Sequence, residues 1–204
     1  MSSREATPTH SAFLELKEER AGMREGYGFL DEKRLILASE ILTELARYEE
    51  EMAAFRAAYA ESAAALRAAT ARHGLEGLTL YPIASVPGWE LRVHGRSVLG
   101  VAVQEIECEA GGEERPRPSV EQSPEAERCR DLFRALVPRA ARAAALLGNL
   151  ERLRREYTRT ARRARALEDV LLPEIDETLT AIEIALEELE REEAVRVRQV
   201  DRSR

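Results

Sequence analysis

The chain has 204 residues, room for one ordinary domain or one elongated structure. Charged residues make up 34% and aromatics 5%, with alanine, glutamate, arginine and leucine dominant, the bias of long helices and coiled coils. A net charge of −7 excludes nucleic-acid binding by the molecule as a whole, and no stretch reaches the ~18 apolar residues of a membrane span.

Residues 9–73 read as one long helix. Thr7 and Pro8 are the expected cap and first helical position. Phe13, Leu16, Met23, Tyr27, Leu30, Leu37, Ile41, Leu45, Tyr48, Met52, Phe55, Tyr59 and Leu66 follow in steps of three and four, with Arg20 and Arg34 in the empty slots. From Leu37 through Ile41 to Leu45 the pattern takes two four-residue steps in a row, a stutter that locally unwinds a supercoil. Gly74 supplies a stop. A helix of this length spans about 95 Å, and its narrow apolar seam needs a partner helix of similar length.

Residues 74–122 change character. Trp89, Leu91 and Val93 alternate with Glu90 and Arg92, and after "HGRS" the run "VLGVAVQEIE" places Leu99, Val101 and Val103 on one face, with Ile106 following. Two alternating runs around a glycine turn predict a β-hairpin. Trp89 reads either as hairpin packing or as an exposed interface anchor. "CEAGGEERPRPSVEQS" reads as a loop.

Residues 123–198 return to helix. Ser123-Pro124-Glu125 is a start signal of cap, proline and first-turn acid. Pro138 is expected to split off a short leading helix. Ala143, Leu147, Leu150, Leu153, Tyr157, Ala164, Leu167, Leu171, Ile175, Leu179, Ile182, Leu186 and Leu189 trace the seam, which widens to four-residue steps between 167 and 179, around Pro173. A proline in a helix interior costs roughly 3 kcal/mol, so a seam that continues on both sides predicts a helix bent near Pro173.

The fold class that follows is mainly α: a long antiparallel two-helix coiled coil, with a small β-hairpin region at the end opposite the termini. Pairing Ile41 with about Ile175 would set the stutter beside the proline.

Sites for chemistry are absent from this pattern. There is no GxxxxGK[ST], and Gly26-Tyr27-Gly28 lies inside a helical seam, as close packing or as a soft spot. His10, His73 and His94 are isolated, and no pair of carboxylates is placed for acid–base work. Cys108 and Cys129 lack metal-ligand spacing and read as reduced thiols. The expectation is a non-enzyme with no catalytic, cofactor-binding or metal residues. "MSSREATPTHSAF" is not a secretory signal, so a soluble, cytoplasmic protein is expected, touching membranes only through partners.

Charge is banded along the last helix. Arginines from Arg139 to Arg165 load its first half, acids from Glu168 to Glu193 its second, and Arg196, Arg198, Arg202 and Arg204 make the tail basic. The bands read either as a solvated outer face or as contact with a protein that surrounds the coil.

"RRARALEDVLLPEIDETLTAIEIALEELEREE", residues 162–193, resembles the C-terminal signature of the D subunit of the V-type/A-type ATPases, through Arg162, Arg163, Ala166, Leu167, Glu168, Pro173, Thr178, Ile182 and Glu190 to Glu193. "PTHSAFLELKEERAGMREGYGFLDEKR" resembles that family's N-terminal helix at Pro8, Thr9, Leu16, Gly26, Leu30, Lys33 and Arg34. "VLGVAVQEIE" resembles its hairpin strand around Gly100, Val101 and Val103. Arg165 and Leu35 stand where the family usually has Asn and Asp.

The resemblance implies a non-catalytic central-stalk rotor of an ATPase or ATP synthase, peripheral to the membrane. It would carry torque between a ring of catalytic and non-catalytic nucleotide-binding subunits and the ion-translocating membrane rotor. The implied partners are that ring, a small companion stalk subunit of the F type and a funnel-shaped adaptor. Residues expected at partner interfaces are Gly26, Lys33, Arg34, Trp89, Gly100, Val101, Val103, Arg162, Arg163, Glu168, Pro173, Arg196 and Arg198. A coiled-coil scaffold or adaptor unrelated to rotation is the alternative.

Overall fold

The computed structural model describes residues 8–81, 89–110 and 123–202. Helix α1 spans His10–Leu78, strands β1 and β2 span Trp89–Val98 and Val101–Ala110, helix α2 spans Pro124–Ala166, a π-helical turn follows at Leu167–Leu171, and helix α3 spans Leu172–Arg202. The fold is therefore mainly α, a long helix pair with a small antiparallel sheet. The chain forms two compact bodies, Met1–Ile36 with Tyr157–Arg204, and Leu37–Glu156. The expected loop begins at Cys108, but Cys108 to Ala110 continue β2; its residues 111–122 lie outside the described residues, as do 82–88.

Within the first body, α1 runs antiparallel to the end of α2 and to α3. His10 faces Glu190 at 3.7 Å, Arg20 and Arg24 meet Asp176 at 3.0 and 3.9 Å, and Tyr27 bonds Glu168. The cap of α1 is Thr9, not Thr7: its Oγ1 accepts from the Ala12 amide at 3.2 Å, so Pro8 lies before the helix. Phe13, Leu16, Met23, Tyr27 and Leu30 are half-buried as expected, and across from them Ile175, Leu179 and Ile182 are buried.

This register overturns the expected pairing of Ile41 with Ile175. Asp176 sits against Arg20 and Arg24. Ile41 comes 17 residues after Arg24 in the sequence and belongs to the second body, whereas Ile175 belongs to the first. The stutter and the proline are separate events, and the stutter itself disappears. Glu44 is only 1% exposed while Leu45 is 37% exposed, so the seam steps from Ile41 to Glu44 to Tyr48 in ordinary fashion. Sequence patterning chose the leucine because it is apolar; the fold buries the glutamate because polar partners are waiting for it.

The wide steps around Pro173 have a local cause. The amide of Leu172 donates to the carbonyl of Leu167, five residues back, closing one π turn. Residues four apart drift about 40° per step on an α-helix, and three such steps amount to roughly one residue. The π turn takes up that residue. The seam passes from Leu167 to Leu172, and Leu171, expected inside it, is 38% exposed. The helix then continues through Pro173 as α3.

In the second body, α1 and α2 are again antiparallel: Glu44 meets Asn149, Glu51 meets Arg142, Glu61 meets Arg128, and Arg72 meets Glu125. Its core holds Leu37, Ala69, Leu136, Ala143, Ala145 and Leu153. Ser62 is fully buried with its hydroxyl donating to the Ala58 carbonyl at 2.8 Å, whereas Tyr59 and Leu66, expected in the seam, are exposed. Small residues, Ser62 and Ala69, take the fully buried positions of this stretch instead. Leu147 is likewise exposed, with Asn149 buried in its stead.

Pro138 does not split α2, which runs through it from Pro124 to Ala166. The buried Leu136 and Ala143 on either side hold the helix together, the burial offsetting the lost backbone hydrogen bond. Ser123 caps α2 as expected: its Oγ accepts from the Ala126 amide at 3.3 Å and lies 2.6 Å from His73 Nε2. Gly74, with φ of 69°, interrupts the helical backbone of α1 where a stop was expected, although one more helical turn follows.

The hairpin forms, but its turn is not at "HGRS". Those residues belong to β1, and the chain reverses at Leu99 and Gly100, with φ of 48° and 87°. Two central residues at positive φ make the turn whose twist suits a two-residue hairpin loop. The register pairs Val98 with Val101, Arg96 with Val103 and Val93 with Ile106. Directly paired residues share a face, so Ile106 falls with Leu91 and Val93, opposite to Val101 and Val103.

Candidate partner-binding surface

The hairpin is attached to both helices by a polar cluster that hydrophobic patterning does not reveal. Asn149 Nδ2 donates to Glu44 Oε2 at 2.9 Å and to the Gln104 carbonyl at 2.8 Å, while its Oδ1 accepts from the Gln104 amide at 2.9 Å. Arg152 Nε donates to the Ala102 carbonyl at 2.9 Å, and its Nη2 reaches Asn149 Oδ1 at 2.6 Å and Gln104 Oε1 at 3.3 Å. From β1, Arg96 donates to Glu40 and, at 3.4 Å, to Glu44. Arg47 adds a bond to Glu44 at 3.2 Å and one to Glu105 at 3.5 Å.

Glu44 is thus a buried carboxylate with an amide and two guanidinium partners, the condition under which a buried charge is tolerated. Its neighbour Glu40 holds the Arg96 guanidinium above its ordinary pKa, chiefly through their hydrogen bond. The outer edge of β2 is capped at residues 102 and 104 by α2 side chains instead of being left open. The one available signal was Asn149, a polar residue at core spacing between Leu146 and Leu153.

With that face committed, Val101 and Val103 are buried and are not surface residues. The opposite face presents Leu91 and Val93, 53% and 54% exposed, beside half-buried Trp89 and Ile106. Gly100 is needed by the turn, where a β-carbon would be strained. A cleft of about 550 Å³ opens between β2 and the two helices, lined by residues including Arg47, Glu51, Ile106, Arg139 and Arg142. Its charges are largely matched internally, Glu51 with Arg139 at 3.7 Å and with Arg142 at 3.2 Å.

The charge bands resolve into spent and available groups. Arg139, Arg142 and Arg152 serve contacts inside the second body, and Arg154 and Arg155 pair with Glu151 at 3.2 and 3.1 Å, which holds the Glu151 carboxyl below its ordinary pKa. Arg162, Arg163 and Arg165 are exposed and make no ion pair among the described residues, and they lead directly into the π turn.

Across the first body, Glu168 accepts from Tyr27; partial burial first, then this bond, holds the Tyr27 hydroxyl above its ordinary pKa. Arg34 pairs with Asp31 on its own helix, Lys33 is half-buried, and Pro173, Arg196 and Arg198 are exposed. Apart from chain neighbours and the backbone of its own helix turn, no described atom lies within 4 Å of where a β-carbon would sit on Gly26 or Gly28, so packing against the described residues does not require either glycine. Within the second body the expected interface residues that are not buried belong to the hairpin, and within the first they include an arginine cluster before the π turn, the basic end of α3, and the Gly26 to Arg34 stretch of α1.

Among the described residues, no three or more His, Cys, Asp or Glu side chains are grouped to hold a metal ion, and no helix is long and apolar enough to cross a membrane. Cys108 and Cys129 are free thiols, and burial pushes the Cys129 thiol above its ordinary pKa.

Residues 12–202 match the family model for the D subunit of ATP synthase. The V-type ATP synthase D subunit of Thermotoga neapolitana is 28% identical over 198 residues, covering 95% of each chain. The A-type ATP synthase D subunit of Thermococcus gammatolerans is 30% identical, covering 95% of this chain and 92% of its own. That of Methanosarcina mazei is 27% identical, with 98% and 97% covered.

Proposed function

Because the chain belongs to the family of ATP synthase D subunits, we propose that it is the non-catalytic central-stalk rotor of a V/A-type ATPase or ATP synthase. The observation that carries the reading is the match over residues 12–202, in a chain whose helices pair antiparallel within each of its bodies. A paired-helix shaft resists twisting better than loops do, and an asymmetric one meets chemically identical ring sites differently, as sequential catalysis needs. It passes torque between the nucleotide-hydrolysing ring and the membrane ion-translocating rotor, as a peripheral part of the complex.

The exposed Arg162, Arg163 and Arg165 suit the catalytic and non-catalytic nucleotide-binding subunits of the ring, with Arg196 and Arg198 as a bearing at the tip. The apolar face of Leu91, Val93 and Trp89 suits the small companion subunit, and the funnel-shaped adaptor receives the base of the stalk. The π turn ahead of Pro173 supports a bend that makes the axle eccentric as it turns. A helix deflected by less than about 10° across 165–185 removes the bend from this reading.

The test is reconstitution. The purified chain is mixed with the two large nucleotide-binding subunits and the companion subunit, and the mixture is resolved by size exclusion. Co-elution, with ATPase activity that depends on the chain, is expected. A chain that elutes alone refutes the rotor reading and leaves a scaffold or adaptor; ATP hydrolysis by the isolated chain refutes the non-catalytic role.

A further inference from the structure

The polar cluster joins three elements at one level. Glu44 is on α1, Asn149 on α2 and Gln104 on β2, and Asn149 bonds both of the others. The hairpin's remaining bonds divide between the helices: Arg96 and Glu105 reach Glu40, Glu44 and Arg47 of α1, while Ala102 and Gln104 reach Arg152 of α2. Val101 and Val103 are its only buried side chains among the described strand residues, with Trp89, Val98, Gln104, Ile106 and Cys108 half-buried.

We propose that the hairpin is a staple across the helix pair, docked by Asn149, Arg152 and Arg96 and resisting slip or rotation of α1 against α2. Three features support it. The Asn149 amide uses its oxygen and one nitrogen on a single backbone residue, a geometry that fails with small displacements of the strand. The same nitrogen also binds Glu44, so a shift of α1 relative to α2 disturbs the group that grips β2. And Arg96 ties β1 to α1, while β2 is tied to α2 through Ala102 and Gln104 and to α1 through Glu105, so relative motion of the helices loads both strands. The arrangement depends on this chain alone and stands whether or not it turns as an axle.

The test is amide hydrogen exchange on the full chain, comparing wild type with Asn149→Leu and, as a surface control, Arg155→Ala. The staple requires exchange at Gln104 to rise by about tenfold or more in Asn149→Leu, the loss of roughly one buried hydrogen bond. Amides of α1 and α2 near residues 41–48 and 146–153 must rise with it, while those near 175–186 stay as in wild type.

Unchanged Gln104 exchange overturns the proposal. So does a hairpin that opens while both helices keep their protection, because it would then be a passenger on the pair. Should Asn149→Leu lose its helical circular dichroism, the double variant Arg96→Ala with Arg152→Ala severs the arms of the staple while leaving Glu44 and Asn149 in place. In that variant Asn149 still holds the Gln104 amide, so the helix amides decide: exchange raised near 41–48 and 146–153 supports the staple, and unchanged exchange there overturns it.

Discussion

Leu153 and Leu147 are both leucines of α2 that hydrophobic spacing assigns to the seam, yet their exposures are 0% and 53%. Truncating each to alanine removes the same atoms, so the difference in stability isolates the environment. For Leu153→Ala the lost transfer energy and the cavity left among buried neighbours together cost about 3–4 kcal/mol. For Leu147→Ala no cavity forms, and about half of a Leu-sized transfer term, itself partly repaid by alanine's helix propensity, leaves at most about 1 kcal/mol.

For a chain of this size 1 kcal/mol moves Tm by about 2–4 °C, so Leu153→Ala should lower it by about 6–16 °C and Leu147→Ala by less than about 4 °C. Urea and thermal unfolding followed by circular dichroism at 222 nm read both quantities. If the two variants fall within about 1 kcal/mol of each other, the assignment of the α2 core face to Ala145, Asn149 and Leu153 is wrong.

Other expectations follow from the turn, the cap and the surface. Leu99 occupies the left-handed region at φ 48°, so Leu99→Asn should stabilise the hairpin by up to about 1 kcal/mol, whereas Gly100→Ala should destabilise it by about 1–2 kcal/mol; amide protection of β1 and β2 measures both. The Glu125 carboxyl sits below its ordinary 4.5, first through its own backbone amide at the helix start and then through Arg72. Its contribution to the first turn of α2 is therefore full above pH 4.5 and fades as pH falls below it; in Glu125→Gln this part of the acid-side loss, followed by exchange at 124–128, should vanish. Arg162→Glu with Arg163→Glu should leave Tm within about 2 °C of wild type, because both side chains are exposed, yet weaken co-elution with the nucleotide-binding subunits. Excising residues 89–106 should leave the helices folded, with amide exchange raised near 41–48 and 146–153, but alter companion-subunit binding or coupling; unchanged affinity together with unchanged ring activity would exclude the hairpin from that interface.

Sequence alone determined the local features. Steps of three and four mark helices wherever they persist, Ser123-Pro124-Glu125 starts α2 because its atoms satisfy the first free amides, and Gly74 interrupts α1 because glycine tolerates positive φ. The three wide steps around Pro173 already contained the extra residue that became a π turn. What the tertiary structure decided are choices between near neighbours that local chemistry leaves balanced. Whether Glu44 or Leu45 faces inward depends on Asn149 and Arg96 arriving from elsewhere in the chain.

Whether Gly95 or Gly100 makes the turn depends on which register lets Val101 and Val103 be buried and lets the β2 edge meet Asn149 and Arg152. Whether Asp176 meets Arg20 or a site near Ile41 depends on how far the second helix has slid along the first, and a repeating apolar seam is nearly indifferent to that slide. Polar residues with specific partners are not: in the second body, a slide that takes Glu44 away from Asn149 leaves a buried carboxylate unsatisfied, and that cost favours the observed register.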